Sequence, residues 1–175
     1  MRKTILKNFH RPFQFPACFN PVGILRDSKT VSYDIRFRGG CAYNLDSPKQ
    51  RDWNKLFGLC FGFLGVHKES VRFGWRYNEA KGLIEICTIV YHNGKPVREY
   101  IENCDMTVND ICRFTITADR HNDDTVWCSF TVNGTTVRTV CMDKPPKPYF
   151  GCGLYFGGTS RAPHRMQVEM KKNAC

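Results

Sequence analysis

Hydrophobic and polar residues alternate along most of this chain in short runs, and the period is two. From Thr30 to Arg38, Val31, Tyr33, Ile35 and Phe37 share one face, with polar residues between them. From Val71 to Tyr77 the alternation is strict, sending Val71, Phe73, Trp75 and Tyr77 one way and Arg72, Gly74 and Arg76 the other. Successive side chains of an extended chain point to opposite faces, so such runs predict half-buried strands. Ile111–Thr117 and Val126–Val132 read the same way. In Phe150–Phe156 the pattern puts Phe150, Cys152, Leu154 and Phe156 inward and Gly151, Gly153 and Tyr155 outward. Lys55–Leu64, Leu83–His92 and Arg165–Met170 are further strands. Asn93-Gly94 and Asn133-Gly134 predict tight hairpins into Lys95–Ile101 and Thr135–Cys141, because both residue types accept the positive φ of a two-residue turn. That hairpin also accounts for the glycosylation-like triplet Asn133-Gly134-Thr135. Helical periodicity is absent apart from a single turn near Asp46–Trp53.

About ten antiparallel strands with regular turn signals predict an all-β jelly-roll sandwich over residues 29–175. Residues 1–28 carry Pro12, Pro16 and Pro21 and little periodicity, which predicts an extended N-terminal arm. A chain of 175 residues is long enough for one real core. No apolar run approaches the roughly 20 residues of a membrane-spanning helix.

Charge changes the picture. Twenty-six Lys and Arg against sixteen Asp and Glu leave a net charge of +10, which points to an anionic partner. The basic residues are scattered and no recognition motif appears, which argues against nucleic acid. Ten cysteines, none in a C-x-x-C pair, mostly sit inside apolar strand runs such as Leu59-Cys60-Phe61 and act there as small hydrophobes. Neither a metal site nor a cofactor is expected from them. With no secretory signal in the basic N-terminus, they imply reduced thiols and a cytoplasmic location.

The candidate chemistry lies on the outward faces. Arg72 and Arg76 flank Gly74 and form a basic platform whose guanidinium forks suit carboxylate or phosphate, with Gly74 leaving room for a ligand to approach the backbone. A partner for these arginines on the next strand, such as Glu85, is the competing expectation. Gly151, Gly153 and Tyr155, together with Gly58 and Gly62, predict a hollow beside that platform. His67 and His164 lie in loops next to these strands and are candidates for its rim. Trp53, in the polar cluster Asp52-Trp53-Asn54-Lys55, is a core residue or a stacking surface.

The segment Tyr149-Phe150-Gly151-Cys152-Gly153-Leu154-Tyr155 resembles the Tyr-Phe-Lys-Ala-Gly-x-Tyr-x-Gln strand of the jelly-roll alginate lyases, and the Arg72/Arg76 strand resembles their arginine strand. With the strand pattern over roughly residues 30–172, this is similar to the concanavalin A-like lectin/glucanase superfamily. The resemblance implies an arginine that neutralises a uronate carboxylate and a proton-handling Tyr155. Gly151 stands at the lysine position, Gly157 at the glutamine position, and no Gln-x-His strand is present. The stretch Trp53–Tyr77 also looks like uncharacterised proteins of gut Bacteroidota and their phages.

Three functions follow as expectations. The first is a binding module that holds an anionic small molecule, a nucleotide-type signal or an acidic oligosaccharide, through Arg72, Arg76, Gly74, Tyr155, Gly151, Gly153, His67 and His164; sequestration of a signalling nucleotide by a phage protein in the host cytoplasm would be one form of it. The second is an enzyme, a polysaccharide lyase or phosphodiesterase, in which Tyr155, His67 or His164 moves protons. The third is a structural virion or surface domain, associating as a homo-oligomer.

Overall fold

The computed structural model describes residues 1–12, 22–62, 66–122, 124–143, 145 and 148–174. Twelve strands run in the order β1 Arg2–Ile5, β2 Val22–Ile24, β3 Ser28–Phe37, β4 Asn54–Phe61, β5 Ser70–Asn78, β6 Leu83–His92, β7 Lys95–Tyr100, β8 Ile111–Arg120, β9 Thr125–Val132, β10 Thr135–Asp143, β11 Pro148–Cys152 and β12 Met166–Lys172. They form two six-stranded antiparallel sheets, one ordered β1-β12-β3-β8-β9-β10 and the other β2-β11-β4-β5-β6-β7. The fold is a jelly-roll β-sandwich, and the turn expected near Asp46–Trp53 is a 3-10 turn, Pro48–Arg51.

The alternation explains the sandwich. Ile35, Phe37, Phe114, Ile116, Phe130 and Val168 of the first sheet meet Leu59, Val71, Phe73, Trp75, Ile84 and Ile86 of the second in one core. Each fully buried large side chain contributes about 1.5–3 kcal/mol. Both predicted hairpins carry positive φ at their two central residues, Asn93 and Gly94, then Asn133 and Gly134.

Three details differ from the sequence pattern. Among the described residues there are twelve strands where about ten were expected, because residues 2–5 and 22–24 of the expected arm add a strand to each sheet, beside β12 and β11. In β4, Leu56 is an extra residue at a bulge between Lys55 and Phe57, so Leu56 and Phe57 both face the core. In β11, Phe150 and Cys152 turn outward, not inward: Phe150 lies opposite Cys60 and Cys152 opposite Gly58, both on the outer face, while Gly151 lies opposite the core residue Leu59. The strand ends at Cys152, and the chain slips by one position before Leu154 and Phe156, which do enter the core.

Candidate functional site

The outer face of the second sheet is best read as rows across the strands. One row runs Cys152, Gly58, Arg72, Ile89, Arg98; the next runs Tyr155, Lys55, Gly74, Cys87, Tyr100. Partners directly opposite one another in an antiparallel pair share a face. The two lines of side chains are therefore neighbours, and two glycines interrupt them.

The glycines do different things. A Cβ on Gly58 would meet the Val71 carbonyl oxygen at 2.1 Å and Arg72 Cγ at 2.5 Å. The Arg72 side chain thus lies over Gly58 and is directed towards β11. Gly74 was expected to leave the backbone open to a ligand, but Cys87 Sγ and Ile89 Cδ1 already fill the space above it, each 2.7 Å from the position a Cβ would take.

At the β4–β11 side lies a cleft of about 470 Å³, lined among others by Arg72, Lys55, Tyr155, His67, Cys152 and Arg11. Arg72 is its floor. It is 4% exposed, its Nη2 donates to the Val66 carbonyl at 3.1 Å, its guanidinium carbon lies 5.1 Å from the centre of the Tyr91 ring, and its Nε has no partner among the described residues. It forms no ion pair among the described residues. Glu69, at the foot of the same hairpin, is engaged instead by His92 at 2.8 Å and by the Asn93 amide at 2.7 Å. A buried guanidinium stays charged, and without a counter-charge it costs several kcal/mol.

Lys55 stands beside it, although the strand pattern had not marked it as a site residue. Its Nζ donates to the carbonyls of Trp53 at 3.0 Å and Gly157 at 3.1 Å. Burial, then the charges of Arg72 and Arg98, bring the Lys55 ammonium down to about 8. A neutral amine has two N–H groups, so it keeps both carbonyl bonds and has a lone pair left over.

Lys55 is held in register with Tyr155 by reciprocal backbone bonds of 2.8 and 2.9 Å. Asn54 anchors the same junction from the core side, donating to Tyr43 Oη at 2.9 Å and accepting from the Gly157 amide. The Lys55 ammonium lies 5.8 Å from the Tyr155 ring centre. The cation beside this tyrosine therefore comes from β4, with Gly151 at the position where the resembling strand motif carries lysine.

His67 is exposed on the rim, edge-on to Tyr91 with centroids 5.1 Å apart. Burial, with Arg72, Lys55 and Arg98 adding to it, lowers its imidazole from the usual value, so it is neutral at neutral pH. Cys60 and Cys152 pair beside Arg72. The hydrogen bond between the thiols and burial push Cys60 up; on Cys152, burial is outweighed by that bond and by Arg72, and the thiol is lowered.

Arg72, Tyr155, His67, Gly151 and Gly153 therefore come together at one cleft, whereas Arg76, Gly74 and His164 do not line it. Arg76 is paired with Glu85 at 2.7 Å and stacked 4.2 Å above Trp53. Burial, which would raise Glu85, is outweighed by hydrogen bonds from Asn78, Arg76 and Lys81. His164 is turned to the Gly40 carbonyl, 2.9 Å away. Trp53 is half-buried and packs on Cys87, Ile89 and Tyr91. The described cysteines are free thiols, and among the described residues no group of three His, Cys, Asp or Glu is placed to hold a metal.

No family model matches this chain, and no curated protein matches its sequence. Solved structures do match its fold. Alginate lyase Aly36B superposes with a TM-score of 0.70 at 16% identity, over 98% of this chain and 78% of its own. The endo-beta-1,4-glucuronan lyase of the fungus Trichoderma reesei gives 0.54 at 10% identity, over 98% and 78%. An alginate lyase of Pseudomonas aeruginosa gives 0.53 at 13%, over 93% and 68%. A lysine-and-tyrosine-to-alanine variant of the first was solved with alginate tetrasaccharide bound.

Proposed function

We propose that this chain binds an acidic polysaccharide in the Arg72 cleft and cleaves it by β-elimination, as a polysaccharide lyase. The observation that carries the proposal is Arg72: a guanidinium 4% exposed, lining a cleft, with no anion paired to it among the described residues. A uronate carboxylate supplies that anion. The fold neighbours that act on alginate and glucuronan favour an acidic sugar over a nucleotide.

The chemistry uses groups already beside one another. Arg72 neutralises the carboxylate and thereby acidifies the hydrogen on the adjacent ring carbon, stabilising the charge that develops there. The neutral Lys55 amine takes that proton. The carbon–carbon double bond forms as the bond to the glycosidic oxygen breaks, and the Tyr155 phenol donates its proton to the departing oxygen. His67, neutral at the rim, is the other available base.

The test is incubation with alginate, glucuronan and a panel of linear and cyclic nucleotides. Thermal unfolding reports binding, and ultraviolet absorbance of unsaturated uronate reports cleavage. The expected result is new absorbance with a polyuronate, lost in Arg72→Met and Tyr155→Phe. Binding without absorbance would leave a sequestering module. A response to nucleotides alone, or to nothing, would overturn the proposal.

A further inference from the structure

The segment from Leu6 to Pro12, between β1 and the remainder of the N-terminal region, lies against the tyrosine end of the cleft. The Asn8 amide donates to the Ala162 carbonyl at 2.9 Å, the Ala162 amide to Phe9 at 3.1 Å, and the Phe156 amide to His10 at 2.7 Å. His10 Nδ1 donates back to the Phe156 carbonyl at 3.0 Å. These bonds lay the His10 ring on the Tyr155 ring, 5.1 Å between centroids and 13° from parallel. The Arg11 guanidinium carbon is 5.5 Å from the centre of the same ring.

Tyr155 is therefore not the end of the site. On its other side is a second hollow of about 440 Å³, lined by Leu6, Phe9, His10, Arg11, Pro12 and Tyr155. Arg11, Pro12 and Tyr155 line both hollows and form the ridge between them. Arg11 is exposed and has no ion pair among the described residues. Phe9 is 56% exposed and Leu6 44%, an apolar pair left facing water. A charged fork beside an exposed aromatic suits an acidic pyranose: the fork takes the carboxylate and the ring face takes the sugar.

We infer that residues Leu6–Pro12 form a second sugar subsite beyond Tyr155, in which Arg11 grips the carboxylate of a neighbouring acidic unit and Phe9 supplies a stacking surface. This rests on the polyuronate reading above and extends it.

The test uses the full chain with defined uronate di-, tri- and tetrasaccharides, measuring affinity by calorimetry and KM and kcat by absorbance. Wild type should gain affinity with length. Arg11→Ala should raise KM for the tetrasaccharide about tenfold, the scale of one charge-assisted hydrogen bond, and should flatten the length dependence. Arg11→Lys should recover part of it, Phe9→Ala should lose several-fold, and Arg113→Ala, on the opposite sheet, should match wild type. If wild type binds the tetrasaccharide no better than the disaccharide, or Arg11→Ala and Phe9→Ala match wild type, the subsite is wrong while the polyuronate reading stands. If wild type neither binds nor cleaves any uronate, both fall.

Discussion

The two outer faces of this sandwich are both basic, yet among the described residues the one buried arginine, Arg72, lies on the second sheet and has no ion pair. On the first sheet, Arg113 is paired with Asp34 at 2.7 Å, and Arg2, Arg36 and Arg38 converge on Glu169 at 2.8, 3.8 and 2.9 Å. Hydroxyls between them satisfy one another, Thr30 with Thr117 and Ser32 with Thr115. On the second sheet, Arg72 is buried with no anion among the described residues, and Lys55 is pushed towards neutrality by burial and then by the charges of Arg72 and Arg98. Net charge alone does not separate these faces. What separates them is whether the fold itself supplies the counter-charge: where it does, the arginines are structural, and where it does not, the site is open to the acidic ligand proposed above.

The sharpest way to break this contrast is at Arg72. Arg72→Met should lower kcat/KM on a polyuronate by about a thousandfold, the scale of losing a preorganised charge in the transition state. The same change removes an unpaired buried charge, so Tm in the absence of ligand should not fall. A drop in Tm would mark Arg72 as structural and erase the difference between the faces. Lys55→Met should cost about a hundredfold in kcat, the lower range for one proton-transfer group. In wild type, kcat/KM should climb as pH rises through about 8, where Lys55 loses its proton, and the variant should lack that limb. The linkage has the same origin. The unfolded chain keeps the Lys55 proton up to about 10.5, so it binds more protons than the folded state between 8 and 10.5, and stability from this group should rise over that window.

Gly58→Ala should come next. Its Cβ has backbone 2.1 Å away and the Arg72 stem at 2.5 Å, so unfolding should become easier by about 1–3 kcal/mol, with ligand binding weakened through a displaced Arg72. The smallest effect is expected on the paired face. The hydrogen bond from Arg113 holds the Asp34 carboxyl below its usual range. This stabilisation is complete above the unfolded value and is lost as pH falls through the lowered one. Arg113→Ala should therefore leave turnover unchanged at neutral pH and lower Tm slightly, less so in acid. A loss of turnover there would refute the division between the faces.

Much of this was legible in the chain. Strict alternation at 71–77 fixed the outward direction of Arg72, and Asn-Gly pairs located two hairpins. What misled was local irregularity and pairing across strands. The bulge at Leu56 sets Lys55 opposite Gly74 and beside Tyr155, whereas unbroken alternation from Gly58 would have turned Lys55 inward. The slip after Cys152 reversed the facing of Phe150 and Cys152. Arg76 has the same residue type and facing as Arg72, and what separates the two is the register that sets Glu85 opposite Arg76 and Ile89 opposite Arg72. Periodicity reports which way a side chain points; only register reports what it meets.

The pairing of β1 with β12 bears on the order of assembly. Arg2 and Glu169, its partner in register and in charge, are 167 positions apart. The hairpins β6–β7 and β9–β10 close over two residues, but the first strand has no neighbour until the last one exists. Distant closures are slow because loop entropy is lost before contacts compensate for it. The segment that carries His10 and Arg11 follows directly from that strand. During refolding, the wall beside Tyr155 should thus be completed after the core has packed, and recognition of long ligands should be regained later than the buried-tryptophan fluorescence of Trp75.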